Sequence, residues 1–302
     1  MKKIIIGSRG SDLALWQANY TQSLLTDLGV ESEIKIIVTK GDRIQDLSFD
    51  KIEGKGFFTK EIEEALLNNE IDLAVHSHKD LETTNPEGLT IAAVSYRENP
   101  SDVLFVHPDA KDENELYGLK KGAIVGTSSA RRKAMIKSLR PDVSLKDLRG
   151  NVPTRLDKLK EGQYDAIILA NAGVSRLNIS TKGMGVQVLN PKEFIPAPAQ
   201  GVLGWQTREK DNDTTGIIEQ LNNAQVASSI HIERSVLRLL EGGCQMPLGV
   251  FTTQDDSIFE THVGYATSSD SEMMKFVETG SDAEAIIETI VNKLKNETVH
   301  QS

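Results

Sequence analysis

Apolar positions change their period several times within the first 80 residues. "KKIIIGS" is a short apolar run ending in Gly and Ser, the pattern of a buried strand. Leu13, Trp16, Tyr20, Leu24 and Leu28 follow at three- and four-residue spacing and predict a helix that buries this face. "EIKIIVT" (Glu33–Thr39) predicts a second strand, and "IDLAVHS" (Ile71–Ser77) a third. Between them, "TKEIEEALLNN" (Thr59–Asn69) predicts a helix with Ile62, Ala65 and Leu66 on one face. Near-continuous apolar strands alternating with helices indicate a parallel sheet covered on both sides.

The pattern then recurs. "AIVGTSSARRKAMIKSL" (Ala123–Leu139) echoes "IIIGSRGSDLALWQANY": an apolar strand, Gly, a hydroxyl residue, Arg, and an amphipathic helix. "DKLKEGQYDAIILANAG" (Asp157–Gly173) echoes "EALLNNEIDLAVHSHKD": a helix, an Asp, an apolar strand, and a polar residue at its end. Two duplicated βαβ halves are expected, the first with a longer middle segment (Gly41–Lys60). After Thr207 the pattern changes. "QVASSIHIERSVLRLLEGG" predicts a helix burying Ile232, Val236, Leu239 and Leu240. Three strand-like runs and a closing helix follow, with Ser281 placed to cap that helix. The expected fold class is therefore α/β in two duplicated domains, plus a small C-terminal α+β domain.

Composition narrows this picture. The 302 residues are long enough for two or three cores, and a 26% charged share is too ordinary for a disordered chain. One cysteine fits a reducing compartment. The first ten residues lack the apolar core of a signal peptide, and no stretch has the length of a membrane span. A soluble cytoplasmic protein is expected, in which the sequons at Asn178 and Asn296 are chance matches. A net charge of −10 disfavours general binding to nucleic acid or anionic membranes, so any bound anion needs a local basic cluster.

Such a cluster is visible at the strand ends, where open α/β sheets bind ligands. In "GTSSARR" a strand ends at Gly126 and a helix begins near Ser129. Free N–H groups, hydroxyls and the helix dipole favour an anion there. Arg131 and Arg132 on the first turn are unfavourably placed against that dipole unless an anion compensates them. "LRGNVPTRL" adds Arg149 and Arg155. With Arg9 and Arg176 these residues predict a cationic cleft for a ligand with several carboxylates or phosphates. No aromatics interleave with them, unlike a nucleic-acid path. His76 and His78 alternate on one strand face as a metal pair could, but no third ligand lies nearby, which favours a structural role and no metal. Asp80 beside Lys79 reads either as a surface ion pair or as a carboxylate for proton handling and cation stabilisation. "GKGFF" is not a phosphate loop, because no GK[ST] follows. Cys244, in "EGGCQMP", can be filler, a metal ligand, a nucleophile or a covalent anchor.

"VHSHKD", "GTSSARR", "LRGNVPTRL", "YDAIILANAG", "AQG" (Ala199–Gly201) and "EGGCQMP" occur in the order seen in the porphobilinogen deaminase (hydroxymethylbilane synthase) family. The resemblance runs from Ile5 to about Gly249. It implies a transferase of tetrapyrrole biosynthesis that joins four porphobilinogen molecules head to tail and releases four ammonia molecules, giving linear hydroxymethylbilane. The first two domains would resemble periplasmic binding proteins. The implied division is 1–97 with 199–216, 98–198, and 217–302. A covalent dipyrromethane cofactor would hang by a thioether from Cys244, with Asp80 catalytic. Lys79, Ser129, Arg131 and Arg132 would bind the cofactor, and Arg9, Ser11, Arg149, Arg155 and Arg176 the substrate's acetate and propionate groups. Porphobilinogen is the implied partner of a monomeric protein, with no nucleic acid or membrane involved.

The thiol's setting agrees with an anchor. A helix C-terminus and nearby Glu241 do not lower a thiol pKa, whereas a hydrolytic nucleophile needs the opposite. Three departures from the family pattern stand out: Leu81–Glu82 after the aspartate in place of Val-Pro, Ala199 for a hinge Gly, and Thr207 where relatives carry Cys. Two other classes compete. An anion-binding module of the periplasmic type fits the fold but explains neither the third domain nor its cysteine. A Cys–His hydrolase would require a histidine paired with Cys244, and no pattern supplies one.

Overall fold

A computed structural model describes residues 3–39, 59–243 and 245–300. Cys244, the "GKGFF" run and most of the 41–60 segment lie outside the described residues. The chain divides into two compact units, Met1–Glu98 with Gly201–Ala227 and Asn99–Gln200 with Ser228–Ser302.

In the first unit, β1 (Ile4–Ser8), α1 (Asp12–Asp27), β2 (Ser32–Ile36), α2 (Lys60–Leu67) and β3 (Leu73–Ser77) follow the expected alternation. β4 (Leu89–Val94) and β10 (Leu203–Arg208) complete a five-stranded sheet of order β2-β1-β3-β10-β4. In the second unit, β5 (Asp102–Val106), β6 (Ile124–Gly126), β7 (Ser144–Lys146), β8 (Ala166–Ala170) and β9 (Gly185–Val188) are ordered β7-β6-β8-β5-β9. Its helices are α3 (Ala130–Leu139), α4 (Val152–Lys160) and α5 (Asn171–Leu177). The two orders are one pattern used twice. β1 and β6 each pair parallel with both neighbours. The fourth strand of each sheet, β10 or β5, runs antiparallel to its neighbours. The sheets are therefore mixed, not purely parallel. In each, the reversed strand is the first one formed after the chain crosses from the other unit, so the local βα rhythm does not reveal it.

The duplication extends to single contacts. The Asp72 amide donates to the Ile5 carbonyl (2.8 Å), and its carboxylate accepts from the Ile5 amide (3.1 Å). Asp165 does the same with Ile124, at 2.9 and 2.8 Å. Gly7 and Gly126 also correspond. A Cβ on Gly7 would lie 2.2 Å from Ile71 Cδ1, and one on Gly126 2.6 Å from Tyr164 Cδ1. Each glycine gives space to a side chain from just before the third strand of its half.

Two helix faces differ from expectation. α1 buries Gln17, Ala18, Thr21 and Leu25, one position round from the apolar stripe. Its polar members are satisfied: Trp205 Nε1 donates to Thr21 Oγ1 (2.8 Å), and Gln17 Nε2 to Ser77 Oγ (2.8 Å). Trp16 and Tyr20 instead stack on each other at 5.4 Å. The next two helices are α6 (Asn212–Ile218) and α7 (Ala224–Leu239). α7 buries Ile232 and Val236 as expected, but exposes Leu239 and buries Leu237.

The C-terminal segment is an antiparallel meander of β11 (Leu248–Asp255), β12 (Ile258–Tyr265) and β13 (Met274–Gly280). It shares a core with α7 and with α8 (Ala283–His300), built on Val236, Val250, Val263, Ile290 and Leu294. Asp282, not Ser281, caps α8, accepting from the amides of Glu284 and Ala285. Glu233 is fully buried on α7 and accepts from the Ala199 amide (2.7 Å) and the Thr252 amide (2.8 Å). Ala199, at a positive φ of 60°, is thereby held in a left-handed conformation that a β-carbon disfavours.

Candidate functional site

In the first unit the site residues occupy the ends of the adjacent strands β1 and β3. Ser11 caps α1, its Oγ accepting from the Ala14 amide (3.4 Å). Arg9 is half-buried in the loop before it. At the end of β3 a 3₁₀ turn, His78–Asp80, carries Lys79 and Asp80. The residue that leads into β10 holds this turn: the His78 amide donates to the Val202 carbonyl (2.9 Å). A Cβ on Gly204 would come within 3.0 Å of Leu81 Cδ1 and 3.2 Å of His78 Cδ2. Leu81, which follows the turn, is buried beside Gly204. Asp80 is exposed and makes no ion pair among the described residues.

The histidines behind the turn are buried. His76 Nε2 lies 3.2 Å from Gln206 Oε1, and Gln206 Nε2 donates to Glu63 Oε1 (3.3 Å). Burial pushes the His76 imidazole down to about 4 despite that hydrogen bond, so it is neutral. Burial likewise raises the Glu63 carboxyl. Among the described residues no group of three or more His, Cys, Asp or Glu is arranged to hold a metal ion.

In the second unit the corresponding strand end is "GTSSARR". Ser129 caps α3, its Oγ accepting from the Arg132 amide (3.4 Å). Thr127 Oγ1 accepts from the Ser129 amide (3.2 Å), and Ser128 Oγ exchanges hydrogen bonds with the Leu148 backbone (3.0 Å each). Arg131 and Arg132 do not extend into solvent. Both are buried against Asp102, the first residue of β5. Arg131 Nη1 donates to Asp102 Oδ2 (2.7 Å) and to the Ile195 carbonyl (2.8 Å). Arg132 donates to Asp102 Oδ1 through Nε (3.1 Å) and Nη2 (2.7 Å), and to the Ile168 carbonyl through Nη1 (3.2 Å). Gln200 Nε2 adds a bond to Asp102 Oδ1 (2.9 Å). Burial alone would raise the Asp102 carboxyl, but the two guanidiniums override it and hold it well below the usual carboxylate range. The anion that the arginines require is thus partly supplied by the protein. Sequence reasoning missed Asp102. Its only signal is a lone carboxylate at the head of the apolar run "DVLFV".

Arg149 lies half-buried in the turn after β7. Gly150 takes a φ of 109° there, and a Cβ would meet Thr154 at 2.7 Å. Asn151 caps α4 through the Thr154 amide (2.9 Å), and Arg155 Nε donates back to the Gly150 carbonyl (2.7 Å). Arg176 is buried on α5, the helix that follows β8. Each unit therefore gathers its own predicted residues just beyond the carboxyl ends of its parallel strands: Arg9, Ser11, Lys79 and Asp80 in the first; Ser129, Arg131, Arg132, Arg149, Arg155 and Arg176 in the second.

The donor set suits a carboxylate-rich organic group. Two buried guanidiniums share one carboxylate, so a positive charge remains at a helix start whose dipole also favours an anion. Fold and site together define an α/β protein with polar and basic side chains clustered at its strand ends. Residues 4–216 match the dipyrromethane cofactor-binding domain of porphobilinogen deaminase, and residues 227–296 match the C-terminal domain of the same protein. The chain belongs to the porphobilinogen deaminase family, transferases that assemble a linear tetrapyrrole. It is 47% identical over 257 residues to the porphobilinogen deaminase of Oceanobacillus iheyensis, covering 84% of this chain and 82% of the relative. It is 41% identical over 289 residues to that of Bacillus subtilis, covering 95% and 90%. Among solved structures, the second substrate-binding domain of Lactococcus lactis GlnP in its open conformation is similar at a TM-score of 0.44 and 12% identity, covering 80% of this chain and 91% of that one.

Proposed function

We propose that the chain condenses four porphobilinogen molecules into hydroxymethylbilane on a dipyrromethane primer attached to Cys244, with Asp80 as its catalytic carboxylate. The observation that carries the reading is that both strand-end clusters, anionic Asp80 in one unit and the arginines in the other, fall within the 4–216 match to the cofactor-binding domain. When bound, the dipyrromethane supplies the nucleophilic pyrrole carbon at which the chain grows. Asp80 stands exposed at the end of β3, on a turn braced by Leu81 and β10, with its oxygens unengaged among the described residues. Its carboxylate accepts a hydrogen bond from a pyrrole N–H. It offsets the positive charge that develops as the substrate's C–N bond breaks and ammonia departs with the bonding pair. Lys79, Ser129, Arg131 and Arg132 hold the primer's carboxylates. Arg9, Ser11, Arg149, Arg155 and Arg176 hold those of the substrate. Each pyrrole brings two carboxylates, which accounts for so many permanently charged donors. The segment from 217 onwards serves as the domain that bears the cofactor's cysteine.

The protein acts in the cytoplasm as a monomer, without nucleic acid or membrane. A single thiol in 302 residues and a net charge of −10 support this setting, and the family resemblance supports the monomer.

Asp80→Asn keeps the shape and removes the charge. In protein confirmed by mass to carry cofactor, single-turnover ammonia release should fall by about 10²–10³. Near-normal release would remove Asp80 from the mechanism.

A further inference from the structure

We infer that Asp102 is a positioning residue for cofactor binding: it fixes the Arg131 and Arg132 guanidiniums at the start of α3 and tunes that cluster to one net positive charge. The inference rests on the proposed reading of these arginines as carboxylate donors.

The anchoring of Asp102 supports the role. It lies opposite Ala170 at the end of β8, and its own carbonyl accepts from the Leu189 amide (2.9 Å). The preceding carbonyl, of Ser101, accepts from the Asn171 amide (3.0 Å). The carboxylate is therefore built into two strands at the edge where the ligand residues gather, and it is fully buried. Gln200, whose Nε2 also donates to the Pro100 carbonyl (2.7 Å), fixes it from a third segment.

The two arginines differ in what remains to them. Arg132 is engaged at Nε, Nη1 and Nη2, all by protein acceptors. Arg131 is engaged at Nη1 alone among the described residues. The donors left for a ligand carboxylate are chiefly the Nε and Nη2 of Arg131, and Asp102 sets the plane in which they lie. Charge leads to the same assignment. Two adjacent guanidiniums on a first helical turn repel each other and oppose the helix dipole. One buried carboxylate offsets one of these charges, and a ligand carboxylate completes the balance. A second protein carboxylate there would leave nothing for the ligand to neutralise.

The test uses full-length protein expressed in cells unable to make porphobilinogen, then supplied with porphobilinogen. Loading is followed by intact mass, and folding by thermal melting. Asp102→Asn should fold and load more slowly, by about 10²-fold, as expected when a binding group is displaced by an ångström. Arg131→Ala should also load slowly, and adding Asp102→Asn to it should slow loading far less than Asp102→Asn does alone, because Asp102 acts chiefly through that arginine. Asp102→Glu, which keeps the charge on a longer stem, should recover part of the rate. If Asp102→Asn melts cooperatively and loads at the wild-type rate while Arg131→Ala is slow, Asp102 is merely structural and the inference is overturned with the carboxylate reading intact. If Arg131→Ala and Arg132→Ala both load normally, the carboxylate reading fails and takes the role of Asp102 with it. If Asp102→Asn does not fold, Gln200→Leu decides, since it removes one donor to Asp102 and alters no charge. Slower loading supports positioning, and wild-type loading overturns it.

Discussion

His76 lies near the end of β3, and His78 begins the turn that carries Asp80. Their spacing would allow a metal pair, but the sequence favours a structural role, and their surroundings are hydrogen-bonded and buried. His76 is sealed against Gln206, and Glu63 lies beyond, so the space behind the turn that carries Asp80 is filled by a buried hydrogen-bonded chain. This has a pH consequence. The folded-state pKa of His76 is about 4 against 6.5 for the free side chain, so between these values the unfolded chain binds the extra proton. Stability contributed by neutral His76 is therefore present above pH 6.5 and lost as pH falls towards 4. His76→Asn should be less stable than wild type at neutral pH through lost packing, and the gap should narrow on acidification. Urea midpoints measured at several pH values check this. A gap independent of pH would contradict buried, neutral His76. Local partners are close to what residue identity suggests: Ser11, Ser129 and Asn151 cap the helices they precede, and the cap read at Ser281 falls one residue later, on Asp282. Residue identity fails where the partner is distant. Arg131 and Arg132 meet a carboxylate 29 and 30 positions away, and no spacing rule connects them to Asp102.

Elements show the same division. The repeat of Gly, hydroxyl and helix in the two halves was legible because each half must solve the same local problem: a strand, a tight turn and a helix start. The reversed strands β5 and β10 were not, because their place in a sheet is set by a chain crossing. The buried face of α1 was misjudged because Thr21 bonds to Trp205, 184 residues away, which makes a polar position an interior one. The duplicated glycines give a paired prediction. Gly126→Ala would press a methyl against the stiff Tyr164 ring, whereas Gly7→Ala would meet the end of the flexible Ile71 side chain. Overpacking of this kind costs about 1–3 kcal/mol, so Gly126→Ala should fall at the upper end and Gly7→Ala at the lower. Denaturant unfolding of both variants tests the ranking. Equal or negligible losses would show that the two glycines do not hold corresponding close contacts.

At the scale of the whole molecule, an acidic chain concentrates arginine at the strand ends of one unit and places an exposed aspartate at those of the other. The same chain keeps one thiol, Cys244, whose place in the sequence falls between α7 and β11. On the proposed reading, the arginines bind carboxylates, Asp80 stabilises charge and the single thiol is the soft nucleophile that tethers a growing pyrrole chain. The central claim is that Cys244 carries that tether. Replacing its sulfur with oxygen barely changes volume but leaves a far poorer nucleophile toward a soft carbon electrophile. Cys244→Ser should therefore fold yet fail to acquire cofactor, and it should melt at a lower temperature than loaded wild type, because a group bound only by the folded state stabilises it. The deciding measurement is the intact mass of purified wild type beside Cys244→Ser, each assayed for hydroxymethylbilane formation. The account requires an active wild type heavier than its sequence by one dipyrromethane, and an inactive variant of plain sequence mass. A wild type of plain sequence mass that still forms hydroxymethylbilane would contradict it.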